Sequence, residues 1–223
     1  MLTAIETWQT TNQPQPLRVG EVHLWRARLE PTPALLETLS PEEWMRAGRF
    51  HFERDRDRYL ATRGLVRTIL AGYLLVEPHE IEFGTGLHGK PEIRTPGTLL
   101  RFNLSHSDDL MLLAVTHGRE LGIDLEQMQE HLPFETLADH YFDPEEAWEL
   151  RQLPRAQRAW KFYDVWTCTE ARLKASGLGL AHGAQPLDED RWSLLKLAPA
   201  AGFTAALAVE GADFHLECCS WPT

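Results

Sequence analysis

The chain has 223 residues, of which 43% are hydrophobic and 25% charged, an ordinary globular composition that suits one large domain or two small ones and argues against disorder. Its 33 acidic and 22 basic side chains leave a net charge of -11, and the isoelectric point lies near 5.4. That balance excludes a protein whose main task is to hold DNA or RNA, while leaving room for a local basic pocket.

Three cysteines, Cys168, Cys218 and Cys219, form neither a disulfide framework nor a spaced zinc site and read as reduced thiols. The first residues, MLTAIETWQTTNQPQPLRVG, lack a basic start followed by an apolar core, and no stretch approaches the roughly 18 apolar residues of a membrane span. A soluble, cytoplasmic protein is expected.

After a polar lead of about fifteen residues, EVHLWRARL alternates apolar and polar side chains at Val22 and Leu24 and, less cleanly, Ala27 and Leu29, the period of a half-buried strand. Ser40-Pro41-Glu42-Glu43 combines an N-cap serine, proline at the first helical position and acidic first-turn residues, so a helix begins there. From about Arg54 to Leu75, Tyr59, Val66, Leu70 and Tyr73 recur at helical spacing among Arg54, Arg56, Arg58, Arg63 and Arg67. Next come IEFGTGLHGKPEI, a strand broken by glycine turns, and LLRFNLSHSDDLMLLAVTHGRELGIDLEQM, short strands separated by Ser-Asp-Asp and His-Gly-Arg turns.

The second half restates that order. A helical stretch starts near Pro144, a strong helix runs from about Ala159 to Ala175, and Gly177-Leu178-Gly179 reads as its stop. Strands follow at RWSLLKL, FTAALAVE and FHLECCSW. Helix followed by antiparallel strands thus occurs twice, which points to an α+β fold of two similar halves, residues 1–115 and 116–223, with an active site in the cleft between them.

Several residues could carry chemistry. In Leu121-Gly122-Ile123-Asp124-Leu125-Glu126, a strand period of two sets Asp124 and Glu126 on the face opposite Ile123 and Leu125. Paired carboxylates suit a hard cation such as Mg²⁺, although Asp-x-Glu is also the pattern of a solvated sheet face. Glu170 and Lys174 lie four apart on one helix face, a spacing that serves an ordinary salt bridge equally well. Asn103-Leu104-Ser105-His106-Ser107 offers a proton shuttle, a phosphate ligand or a hydrogen-bonded turn. A nucleophilic serine triad is disfavoured, because there is no G-x-S-x-G elbow and Ser105 adjoins His106 directly.

The ordered blocks GKPEI, FNLSHS, GIDLE and W-T-x-x-E-A-x-x-K-A-x-G, spread over Ser40 to Leu180, resemble the signatures of the surfactin-synthetase-activating (Sfp) type of 4'-phosphopantetheinyl transferases. The resemblance implies a pseudo-twofold α+β pair of halves, each a small antiparallel sheet packed with a long helix, with coenzyme A bound between them. It implies transfer of phosphopantetheine from coenzyme A to a serine of an acyl or peptidyl carrier protein, with release of adenosine 3',5'-bisphosphate. Asp124, Glu126 and Glu170 become the Mg²⁺ ligands, Glu170 also the base for the carrier serine, and Lys174 a cation for the phosphoryl oxygens or leaving group.

By the same resemblance, Ser105 and His106 lie near the 3'-phosphate of coenzyme A, Lys90 near the adenine nucleotide, and Arg46 at a phosphate-binding position. Arg58 and its neighbours line the nucleotide end of the cleft, while Arg63 and Arg67 either join them or brace the fold. One departure stands out: Thr169-Glu170-Ala171 replaces the family's common Lys-Glu-Ala, removing a cation that contacts the phosphates. The alternatives are a family member that binds carrier protein or nucleotide without turnover, and a Mg²⁺-dependent phosphohydrolase. With both halves in one chain, a monomer is expected.

Overall fold

Val22 and Leu24 alternate with Trp25 and Ala27 as the sequence pattern requires, yet all four are buried, because the strand that carries them is covered on both faces. A computed structural model of the chain describes residues 7–86, 89–177 and 189–222. Its strands are β1 (Gln9–Thr10), β2 (Glu21–Arg28), β3 (Phe83–Thr85), β4 (Pro91–Ile93), β5 (Leu100–Ser107), β6 (Leu110–His117), β7 (Leu121–Gln127), β8 (Trp192–Leu197), β9 (Phe203–Glu210) and β10 (His215–Ser220). The helices are α1 (Pro33–Leu36), α2 (Pro41–Ala47), α3 (Glu53–Leu74), α4 (Phe134–Tyr141), α5 (Pro144–Gln152) and α6 (Arg155–Ser176).

The fold is α+β. A five-stranded sheet runs β1-β10-β2-β6-β5, a three-stranded antiparallel sheet runs β7-β9-β8, and β3 and β4 form a small hairpin. Leu65, Val66, Ile69 and Leu70 of α3 pack on one face of the larger sheet against Trp25, Phe102, Met111 and Leu113. The opposite face meets the smaller sheet, with Val22, Leu24, Leu112 and Ala114 against Ile123, Leu125, Leu207 and Val209. Behind the smaller sheet, Ala171 and Ala175 of α6 lie on Ala206 and Ala208. The order is therefore helix, sheet, sheet, helix, and the two long helices, 22 residues each, form the outer layers.

Local signals explain the boundaries. Ser40 and Glu43 form a complete capping box at the start of α2, and Gly177 ends α6 in the left-handed conformation with φ of 70°. Leu178 and Gly179 of the expected stop lie outside the described residues. Helix α4 was not expected; its eight residues follow a proline and are too short for a persuasive helical period.

Two expectations about the sheets need correction. FHLECCSW forms a strand as anticipated, but β10 joins the first sheet, parallel to β2, rather than extending an antiparallel sheet in the second half. Strand β2 is central, between β10 and β6, and it buries Val22, Leu24, Trp25 and Ala27 on both faces rather than one, with Arg28 exposed at its end. Residue 115 itself lies inside β6, paired with His23 of β2. No described helix is long and apolar enough to cross a membrane.

Candidate active site

Strands β5 and β7 are not joined by a backbone ladder; side chains of β5 do that work. Asn103 Oδ1 accepts the Ile123 amide at 2.9 Å, Ser105 Oγ the Leu125 amide at 3.2 Å and Ser107 Oγ the Gln127 amide at 3.0 Å. The period of two in FNLSHS places these three residues on one face, and the same period in GIDLEQ offers every second amide to them. Each serine proton is then free for a carboxylate. Ser105 donates to Asp124 Oδ1 at 3.1 Å and Ser107 to Glu126 Oε2 at 3.1 Å.

Helix α6 closes the site from the other side, and Gly122 permits its approach. A β-carbon at Gly122 would lie 2.1 Å from the Ala171 carbonyl oxygen and 2.3 Å from the Ala175 nitrogen, distances no side chain can occupy. Helix and strand thus meet backbone to backbone, which lets Glu170 and Lys174 reach the carboxylates of β7. Lys174 Nζ donates to Asp124 Oδ1 at 2.6 Å and to Ser105 Oγ at 3.1 Å. Asp124, Glu126, Glu170, Lys174 and Ser105, read from separate motifs, therefore come together.

Burial shapes their electrostatics. Glu170 is pushed above the usual carboxylate range by burial first and then by the Asp124 charge, against the pull of Lys174. Glu126 is raised for the same two reasons, with hydrogen bonds from Ser107 and Trp166 opposing. Asp124 Oδ2 and Glu170 Oε1 are buried without a hydrogen-bond partner. Unpartnered buried carboxylate oxygens are costly, and three carboxylates in one desolvated space call for a cation. No three His, Cys, Asp or Glu side chains among the described residues are gathered closely enough to hold a metal as they stand. The donor chemistry of three carboxylates nevertheless fits a hard cation.

The expected phosphate-binding residues divide into two groups. His106 stands at the rim, where crowding and then the Lys174 and Arg58 charges hold its imidazole below the usual histidine value. Arg58 and Arg54 both pair with Asp108, which sits in the left-handed region at φ of 51° in the β5–β6 turn. Arg46 is exposed, its guanidinium 5.5 Å from the centre of the Tyr59 ring. Lys90, by contrast, is turned inward: its ammonium donates to Glu120 Oε2 at 2.7 Å and to the carbonyls of Leu121 and Ala175 at 3.1 and 3.3 Å. Arg63 and Arg67 also serve the fold, gripping Glu43 at 2.5 and 2.7 Å, and Arg67 adds the carbonyls of Pro78 and Ile81.

Comparisons with known proteins show the family. Residues 23–118 match the model of the 4'-phosphopantetheinyl transferase N-terminal region, and residues 120–218 match that of the 4'-phosphopantetheinyl transferase superfamily. The chain is 41% identical over 223 residues to the 4'-phosphopantetheinyl transferase HetI of Nostoc sp., covering 92% of this chain and 94% of that protein. The chain belongs to the 4'-phosphopantetheinyl transferase superfamily. It is a transferase, as the names of its relatives state. Other relatives are the transferase psf-1 of Bacillus pumilus, 31% identical over 73% of this chain and 71% of that protein, and Sfp of Bacillus subtilis, 29% identical over 67% and 64%.

Sequence reasoning assigns Asn103 and Gly122 no role and gives Ser107 only a place in the Ser105-His106-Ser107 block. Asn103, Ser107 and Gly122 all lie inside the motifs that were noticed, and their signal was present: a polar side chain at every second position of β5, and a glycine opening GIDLE. What no single strand reveals is which other element its side chains face.

Proposed function

We propose that the chain transfers the 4'-phosphopantetheine group of coenzyme A to a serine hydroxyl of an acyl or peptidyl carrier protein, releasing adenosine 3',5'-bisphosphate, with Mg²⁺ as cofactor. The observation that carries this reading is the meeting of Asp124, Glu126 and Glu170 in one buried space beside Lys174, in a chain of this family. Asp124, Glu126 and Glu170 would hold the cation. When bound, it supplies Lewis-acid polarisation of the coenzyme A pyrophosphate.

The remaining chemistry falls to the protein. Glu170 takes the proton of the carrier serine as that oxygen bonds to the β-phosphorus. The bond from that phosphorus to the bridging oxygen breaks, and Lys174 stabilises the charge left on adenosine 3',5'-bisphosphate. His106, Arg58 and Arg46 form the basic wall for the nucleotide phosphates. Ser105 and Lys90 also belong to this set by resemblance, although each already has internal partners. We infer further that the chain is a cytoplasmic monomer of two related halves, divided near residue 115, with the site between them. A long helix packed on a sheet in each half supports that division.

The test is intact-protein mass spectrometry of an apo acyl carrier protein incubated with the chain, coenzyme A and Mg²⁺, with EDTA as control. A metal-dependent gain of one phosphopantetheine is expected. No gain on either an acyl or a peptidyl carrier would overturn the reading in favour of a binder without turnover.

A further inference from the structure

We propose that Ser107 is a positioning residue for Glu126, one that holds its carboxylate in the orientation needed to bind the active-site cation. The inference rests on the metal-site reading given above. A hydroxyl carries one proton, and Ser107 Oγ already accepts the Gln127 amide at 3.0 Å, so its own proton is directed to Glu126 Oε2 at 3.1 Å. Because that amide belongs to the residue after Glu126, the same serine fixes both the backbone and the carboxylate of one short segment. The Glu126 carboxylate is thereby held at its Oε2 edge, on the same strand segment that presents Asp124.

Ser105 repeats the device one step along the strand, with the Leu125 amide and Asp124 Oδ1 as its partners. There the carboxylate is also held by Lys174, so Asp124 has a second restraint. Glu126 has a longer side chain, is only half-buried, and among the described residues takes its hydrogen bonds from Ser107 and Trp166. A glutamate with three free torsions gains most from a fixed partner. Outer partners of this kind commonly set metal affinity without touching the metal.

The test is Mn²⁺ affinity, followed by the electron paramagnetic resonance of free Mn²⁺, in Ser107→Thr, Ser107→Val and Glu126→Gln beside the unaltered chain. Threonine and valine share a shape and differ in the hydroxyl. Ser107→Val is expected to bind Mn²⁺ about 10-fold or more weakly, and Ser107→Thr to bind as the unaltered chain does. Equal affinity for the valine and threonine variants, with Glu126→Gln weakened, would overturn the positioning role and leave the metal site standing. Equal affinity for the unaltered chain and Glu126→Gln would overturn the metal site, and this proposal with it. Melting curves accompany each variant. Should Ser107→Val fail to fold, Ser107→Ala takes its place, and failure of both would mark the serine as structural and sink the proposal.

Discussion

Gly122 of β7 faces the Ala171 carbonyl of α6 so closely that a β-carbon would lie 2.1 Å from that oxygen. The contact sets the depth to which α6 settles on the smaller sheet, and with it the distance from Glu170 and Lys174 to Asp124. Gly122→Ala must push the helix outward or disrupt it, costing about 1–3 kcal/mol of stability as overpacking typically does. Transfer activity should fall more steeply than stability, because misplacing catalytic groups by about 1 Å can cost about 100-fold. Thermal melting alongside the carrier-loading assay checks this; a stable variant with full activity would show that the helix position is not critical.

Asp124→Asn and Glu170→Gln should each abolish loading and weaken Mg²⁺ binding. Lys174→Ala should behave differently. It removes the cation that competes for Asp124 Oδ1, so metal affinity is expected to hold or improve while the rate drops about 100-fold or more through loss of charge stabilisation. Calorimetric Mg²⁺ titration beside single-turnover loading separates the two effects, and a Lys174→Ala protein that neither binds metal nor turns over would contradict the assignment.

Glu43 supplies a pH dependence remote from the chemistry. Burial opposes its ionisation, but Arg63, Arg67 and the Ser40 amide prevail and hold its carboxyl below the usual glutamate range. A carboxylate depressed in the folded state contributes stability above its unfolded pKa and loses it as pH falls through the folded value. Breaking such a buried pair typically costs about 3–5 kcal/mol, so Glu43→Gln should be less stable by roughly that order at about pH 7, and the difference should shrink at about pH 3. Denaturant melts at the two pH values measure it; a gap that persists in acid would mean that packing rather than charge is at stake.

By the resemblance of its Thr169-Glu170-Ala171 block to the family's Lys-Glu-Ala, Thr169 takes the place of a phosphate-contacting cation. A hydroxyl can donate a hydrogen bond but supplies no charge. Thr169→Lys is therefore expected to tighten coenzyme A binding several-fold at low ionic strength and to steepen its salt dependence. Fluorescence titrations at two salt concentrations decide the matter, and an unchanged affinity would remove position 169 from the binding surface.

Much of this architecture was legible in the residues themselves. The capping box at Ser40, the left-handed stop at Gly177 and the alternation in GIDLE each depend on neighbours a few positions apart, and each formed as read. What depended on distant partners was not legible. Lys90, which the resemblance sets near the adenine nucleotide, is instead spent on Glu120 and on the last turn of α6, 30 and 85 residues away. His106 and Ser105 are adjacent in sequence and point to opposite sides of β5, so one reaches the rim and the other the buried seam. Strand β10 alternates like any other, and parallel pairing with β2 leaves no local mark.

That last pairing has a consequence for biogenesis. Ribosomes deliver the chain from its N-terminus, and β2 would emerge with β6 and α3 well before residues 215–220 exist. Until then, one edge of β2, a strand buried on both faces in the finished protein, has no neighbour. Long-range pairing of this kind slows folding and leaves a sticky template exposed in the meantime. Nascent chains stalled before β10 should accordingly recruit chaperones, and emergence of β10, rather than completion of the first half, would set the moment at which the larger sheet closes.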